Sequence, residues 1–290
     1  MPIWKTFSTP ESIAEASYLL KDKAGSACLI AGGTDLLLDI QQNRREPVDF
    51  MIDITGISEL NKIEIREGYL FIGSAATMRK ISNSPLVGKN AFSLYQACGM
   101  IGGPQVRNVA TLGGNVAHGL PAADGTIGLL ALDAQVEIAG LNGFRRVPID
   151  QLFICPGKTH LSDTDLITGF YIPVATPHQA SAFGRVMRPQ GVALPILNLS
   201  VWLEKKIEIV QKIRVAIGPS GPVPKRITQV EDFLTGKSLS DINFDEVNDI
   251  LRSTNSFRTS PRRASAEYRY LVCKDLFADV FKKAWVSAAE

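Results

Sequence analysis

Two double-glycine segments carry the residue types that bind phosphate: Leu29-Ile30-Ala31-Gly32-Gly33-Thr34-Asp35-Leu36 and Ala110-Thr111-Leu112-Gly113-Gly114-Asn115-Val116. Glycine has no Cβ and tolerates positive φ, so successive amides can turn inward into a concavity that phosphate oxygens approach closely. Thr34, Thr111 and Asn115 add side-chain donors, and each segment reads as a turn emerging from an apolar strand. One such turn alone is ordinary punctuation after a strand. The pair predicts a two-sided clamp for a diphosphate.

Other phosphate motifs are excluded. No Gly-x-Gly occurs in the chain, so the dinucleotide fingerprint of a Rossmann unit is absent. Gly157-Lys158-Thr159 and Gly236-Lys237-Ser238 resemble the end of a P-loop, but Leu152 and Glu231 stand where its first glycine belongs. Both therefore read as surface turns.

The elements that must position the clamp follow from pattern. Thr9, Pro10 and Glu11 signal a helix running to about residue 23, with Pro in its first turn. A strand over 27–31, an apolar segment over 36–40 and a β-rich stretch over 48–54 complete a small α+β unit. Segments 63–65 and 69–72 flank Arg66-Glu67-Gly68 as a hairpin, and helices follow near 77–81 and 91–100. Beyond the second glycine pair, 125–132 reads as a buried helix and 135–139 as a strand, with this unit closing near Pro173. Thr176-Pro177-His178-Gln179 is a polar connection to a third unit. That unit has strands over 182–187, 194–203 and 207–217, then helices over 224–234 and 244–251 and a long one opened by Ser260 and Pro261. Three strands followed by helices predict a sheet covered on one face. The units expected are 1–58, 59–175 and 176–290.

Composition narrows the class. A chain of 290 residues, 45% hydrophobic, can bury substantial cores and is long for one compact unit. A net charge of +2 provides no general attraction to nucleic acid or to an anionic membrane surface. Cys28, Cys98, Cys155 and Cys273 form no Cys-x-x-Cys pair, and His118, His160 and His178 are scattered, so no metal or iron–sulfur site is expected on this chain. The imidazoles read as loop or partly buried residues. The start lacks a basic stretch leading into an apolar core, and no apolar run reaches the roughly 20 residues of a membrane span. A cytoplasmic location is expected.

The run Gly102-Gly103-Pro104-Gln105-Val106-Arg107-Asn108-Val109-Ala110-Thr111-Leu112-Gly113-Gly114-Asn115-Val116-Ala117-His118-Gly119-Leu120-Pro121-Ala122-Ala123-Asp124 resembles the FAD-binding medium subunit of the molybdenum hydroxylases. That family includes xanthine, nicotinate and carbon monoxide dehydrogenases. The resemblance extends from Ala31-Gly32-Gly33-Thr34 to Arg263-Ala264-Ser265-Ala266-Glu267-Tyr268-Arg269. It implies an α+β fold: a two-subdomain FAD-binding fold of the vanillyl-alcohol-oxidase type, followed by a C-terminal α+β domain with a three-stranded sheet covered by helices. FAD would lie extended with its diphosphate on the glycine loops, contacted by residues 29–36 and 111–115 and by Ile101, Asp124 and Ile167.

Each of these positions also has a plainer reading. Asp124 suits the N-cap of the following helix, while Ile101 and Ile167 suit a core. Arg185 and Arg188 either approach the flavin ring, where a positive charge would raise its potential, or are solvated. The group Arg252, Arg258, Arg262, Arg263 and Arg269 either faces a partner or forms a solvated helix face. The Gly-Asp-Tyr-Ala segment of some relatives is replaced by Gln190-Gly191-Val192-Ala193, and Leu120 stands where an Asp is common.

No nucleophile or acid–base constellation is evident, which agrees with a chain whose chemistry is that of a bound flavin. The resemblance implies a large molybdopterin subunit and a small subunit with [2Fe-2S] clusters as partners, and NAD or another acceptor for the electrons. A purine or other N-heterocycle is the expected substrate. A self-contained FAD-dependent oxidase or dehydrogenase and a flavin-free structural subunit remain as alternatives.

Overall fold

The computed structural model describes residues 3–188, 194–261 and 263–289. The first unit contains β1 (Trp4–Ser8), α1 (Ile13–Asp22), β2 (Ala27–Ile30), α2 (Leu36–Gln41) and β3 (Val48–Asp53), with a parallel sheet in the order β1-β3-β2. Helix α1 starts later than Thr9-Pro10 predicts. Ser12 is its N-cap, its hydroxyl accepting the Glu15 N–H at 3.1 Å. Because β2 is an edge strand of a parallel sheet, the chain leaves its carboxyl end at Ile30 into open space. That is where α/β sheets bind ligands.

The second unit opens with the predicted hairpin, β4 (Ile63–Arg66) and β5 (Tyr69–Gly73), turned by Glu67 and Gly68 at φ 53° and 78°. Six helices follow: α3 (Met78–Ser82), α4 (Pro85–Asn90), α5 (Phe92–Met100), α6 (Pro104–Val109), α7 (Leu112–Ala117) and α8 (Asp124–Ala131). Strands β6 (Gln135–Gly140), β7 (Gly143–Pro148), β8 (Phe153–Cys155), β9 (Lys158–Thr159) and β10 (Leu166–Pro173) complete the unit. Its main sheet is antiparallel, in the order β4-β5-β10-β6-β7. The sequence pattern does not reveal α4 or α6. Each has six residues beginning with proline, too few turns for a periodic signal, although proline is pre-set for that position.

One expectation is corrected here. The second glycine segment does not emerge from a strand. It leaves α6 and immediately opens α7, with Thr111 as N-cap and Gly113 and Gly114 inside the first turn. The first segment does follow a strand, and the apolar stretch after it is α2.

The third unit holds β11 (Gln179–Val186), β12 (Leu197–Lys206), β13 (Ile209–Gly218) and the two-residue β14 (Lys225–Arg226), antiparallel in that order, so the sheet has a fourth strand beyond the three expected. Helices α9 (Thr228–Leu234), α10 (Phe244–Thr254) and α11 (Ala266–Ser287) follow, with α11 packed on β11 and β12. Ser265, not Ser260, caps α11, its hydroxyl accepting the Tyr268 N–H.

Helix α8 joins the units. Every one of its residues is buried, and it packs against α5 and α7 on one side and β12 and β13 on the other. A helix apolar all round belongs between layers. A Cβ on Gly128 would lie 3.3 Å from Leu94 Cα, so the glycine lets α8 and α5 approach closely. The core around Leu94, Ile127 and Leu130 continues into Phe183, Trp202 and Ala216 of the third unit. Among the described residues, no helix is long and apolar enough to cross a membrane.

Candidate functional site

A cleft of about 700 Å³ lies where the three units meet. The first glycine segment forms one wall. Gly33 has φ +64°, a left-handed conformation that side chains rarely adopt, and a Cβ there would also sit 3.1 Å from Ile30 Cδ1 and Leu37 Cδ1. Gly32 is required for a different reason. A Cβ at this position would lie 2.2 Å from the Val109 carbonyl oxygen, so its absence lets the first loop rest directly on the end of α6. The backbone amides of Gly32, Gly33, Thr34 and Asp35 donate to no protein group among the described residues. Four consecutive residues with unclaimed donors thus line the cleft.

The second segment differs. Its amides are already used: Leu112 N–H donates to Ala76 O at 3.1 Å, Gly113 N–H to Ser74 O at 2.8 Å and Gly114 N–H to Thr111 Oγ1 at 3.2 Å. A Cβ on Gly113 would meet Ser74 O at 2.7 Å, so this glycine serves packing. Gly113 and Leu112 lie away from the cleft, whereas Thr111, Gly114 and Asn115 line it. Asn115 Oδ1 accepts the Thr126 N–H at 3.2 Å, which leaves the Asn115 NH₂ group as a donor. The clamp is therefore asymmetric, with backbone donors on one wall and a side-chain amide on the other.

His118, the C-cap of α7, ties the walls together. Its Nδ1 is 3.7 Å from Asp35 Oδ2 and its Nε2 is 3.5 Å from Asp39 Oδ2, both on or beside α2. Ile101 lines the cleft next to Gly102, and the Arg107 guanidinium holds both of their carbonyls at 3.1 and 2.6 Å. Ile167 is not brought to the cleft. It is 5% exposed, opposite Ile138 in the main sheet, and belongs to the core.

Asp124 is not an N-cap. Ala123 holds that position, while the Asp124 carboxylate accepts from Arg185 Nη1 at 2.7 Å and Asn198 Nδ2 at 2.6 Å. The three residues come from α8, β11 and β12, so this buried group fastens the FAD-type units to the third unit at the cleft. Burial pushes the Asp124 carboxyl above its ordinary range, opposed by Arg185 and Asn198. The Arg185 side chain is 8% exposed, so it is not a solvated arginine. Its charge faces Asp124. Arg188 is exposed and donates to Arg263 O at 3.3 Å.

Sequence reasoning missed part of the lining. Arg258, Arg263 and Arg269, read from sequence as partner-facing or solvated, also line the cleft, and Arg269 is 1% exposed. Arg252 instead lies over the Tyr270 ring, while Arg262 and Gln190-Gly191-Val192-Ala193 fall outside the described residues. No local pattern marks these arginines, because they reach the cleft from the other end of the chain. Cys28 and Arg45 also line it, the thiol accepting from Arg45 Nη2 at 3.3 Å. No cluster of His, Cys, Asp or Glu among the described residues is arranged to hold a metal ion.

Comparison with known proteins decides the family. Residues 5–175 match the FAD binding domain in molybdopterin dehydrogenase, and residues 181–284 match the CO dehydrogenase flavoprotein C-terminal domain. The chain belongs to the FAD-binding medium subunits of the molybdenum hydroxylases. Medium subunits similar to it include the nicotine 6-hydroxylase medium subunit of Paenarthrobacter nicotinovorans, 31% identical over 93% of each chain. The nicotinate dehydrogenase FAD-subunit of Eubacterium barkeri is 29% identical over 97% of this chain and 94% of that one. Among solved structures, a carbon monoxide dehydrogenase chain from Hydrogenophaga pseudoflava superposes with a TM-score of 0.93, at 27% identity and full coverage of both chains. This medium subunit is thus a component of an oxidoreductase complex, and both glycine segments lie within the residues that match the family's FAD-binding domain.

Proposed function

We propose that this subunit receives electrons from [2Fe-2S] clusters of a small partner subunit and passes them through FAD to NAD or another acceptor, after a large molybdopterin subunit has oxidised the substrate. The observation that carries this reading is the row of unclaimed amides at Gly32, Gly33, Thr34 and Asp35, facing Thr111, Gly114 and Asn115 across the cleft. These residues suit a diphosphate, which asks for several N–H donors and close backbone approach. Of the residues expected to contact FAD, we assign Leu29–Leu36, Ile101, Thr111, Gly114 and Asn115 to that role, with Asp124 and Arg185 forming the brace behind it. When bound, FAD supplies two-electron storage and transfer. The chain's own part is to hold the cofactor and shield part of its surface.

The relatives named for nicotinate and nicotine support an N-heterocycle as substrate. Units at 1–58, 59–175 and 176–290 and a cytoplasmic location complete the proposal. The experiment is a visible spectrum of the purified protein, alone and co-expressed with its partner subunits, followed by acid release of the flavin. FAD in stoichiometric amount supports the reading. No flavin in the assembled complex overturns it.

A further inference from the structure

Three arginines of the third unit that line the cleft are uncompensated. Arg258 is exposed, Arg263 half-buried and Arg269 almost fully buried. The Arg269 guanidinium donates to the Ile196 carbonyl through Nη1, but its buried Nε has no partner. Among the described residues no carboxylate pairs with any of the three. The contrast within the chain is direct: Arg185 and Arg214, whose side chains are each 8% exposed, hold Asp124 and Asp133 at 2.7 and 2.9 Å.

The arrangement is built. Ser260 N–H donates to Ala264 O at 2.9 Å and Arg263 N–H to Ser260 O at 3.0 Å. The Thr259 hydroxyl accepts the Ala266 N–H at 3.1 Å, fixing Thr259 to the start of α11, where Arg269 lies one turn further on. Burial first, and then the neighbouring guanidiniums, lower the proton affinity of Arg269 and Arg263. Clustered cations with an unused buried donor are relieved by an anion.

We infer that Arg258, Arg263 and Arg269 form a second anion site, made of guanidiniums of the third unit and not of the glycine-loop amides, which takes the phosphate or diphosphate group of the electron acceptor. This rests on the FAD reading above and sharpens it. A neutral quinone could accept hydrogen bonds but brings no negative charge to three guanidiniums, whereas a phosphorylated acceptor would be drawn to the cleft by charge.

The test uses the assembled, FAD-loaded complex, with inorganic pyrophosphate as probe, titrated calorimetrically at low salt. Arg269 is left intact because it also holds the Ile196 carbonyl. The wild type should bind pyrophosphate saturably, and Arg258→Ala/Arg263→Ala should weaken binding about tenfold or more, as expected for losing charge-assisted contacts. Its flavin content should be unchanged, and the paired Arg→Lys variant should recover part of the affinity. Three results overturn the inference: no uptake by the loaded complex, uptake equal in the double variant, or uptake by flavin-free protein alone together with flavin loss in the variant. The last would assign the arginines to the diphosphate of FAD itself. A wild-type spectrum without flavin overturns the underlying reading, and is seen before any titration.

Discussion

Replacing Gly32 by Ala tests whether contact between the two loops makes the clamp. The added methyl would stand 2.2 Å from Val109 O, 2.7 Å from Val109 C and 2.8 Å from Ala110 Cα, all backbone atoms that cannot rotate away. A carbon–oxygen contact needs about 3.3 Å. The first loop and the end of α6 must therefore separate by about 1 Å. Overpacking of this kind costs about 1–3 kcal/mol, and if the whole cost falls on the closed clamp, FAD affinity drops about 5- to 150-fold. The assay is titration of flavin-stripped protein with FAD, followed by fluorescence quenching, with Tm measured in parallel. Gly56→Ala is the control, since a Cβ there meets nothing within 4 Å. Wild-type affinity and wild-type Tm in Gly32→Ala would refute the argument that this glycine is there to let the loops touch.

Other expectations follow from single contacts. Asp124→Asn should cost about 3–5 kcal/mol by leaving the Arg185 guanidinium buried and uncompensated, and chemical denaturation should show most of that loss recovered in Asp124→Leu/Arg185→Met. Asp165 gives a pH dependence. Burial raises its carboxyl, but two bonds from Arg145 at 2.7 and 2.8 Å and one from Ser162 N–H outweigh this and hold it below the ordinary range. A depressed folded-state value means the stabilisation is full above the unfolded value of about 3.9 and is lost as pH falls through the folded one. Asp165→Asn should therefore be less stable than wild type at pH 6, and the gap should close below pH 4. Thr111→Val removes the hydroxyl that accepts Gly114 N–H and should cost about 1 kcal/mol in Tm-derived stability. Cys98 is buried, and burial pushes the Cys273 thiol up to about 12, so neither should react with iodoacetamide in the native protein. Cys28 is half-buried in the cleft wall and burial raises its thiol too, opposed by Arg45, so it should be alkylated slowly in the stripped protein, faster at alkaline pH, and protected by FAD, as peptide mapping would show.

Much of this molecule is legible residue by residue. The alternating apolar strands, the turn at Glu67-Gly68 and the glycine pairs are local features whose cause lies within a few residues of themselves. Short helices were harder, because two turns carry too little periodicity, and α6 altered the setting of the second glycine pair from strand-turn to helix start. Asp124 shows the same limit. Its position before an apolar helix is that of a cap, yet partners 61 and 74 residues away claim its oxygens.

The chain pattern alone thus marks the two glycine pairs and roughly what surrounds them, since conformational freedom and apolar periodicity are properties of neighbouring residues. Which glycine offers its amides and which fills a packing contact was decided by tertiary structure. Gly32 is pressed on Val109 and Gly113 on Ser74, while Gly114 faces the cleft. The same holds for the arginines. Guanidiniums from residues 258–269 share a cleft with loops from residues 29–36 because the buried α8 holds the third unit against the first two. Electrostatic neighbours are set by distance in space, and separation along the chain does not encode it.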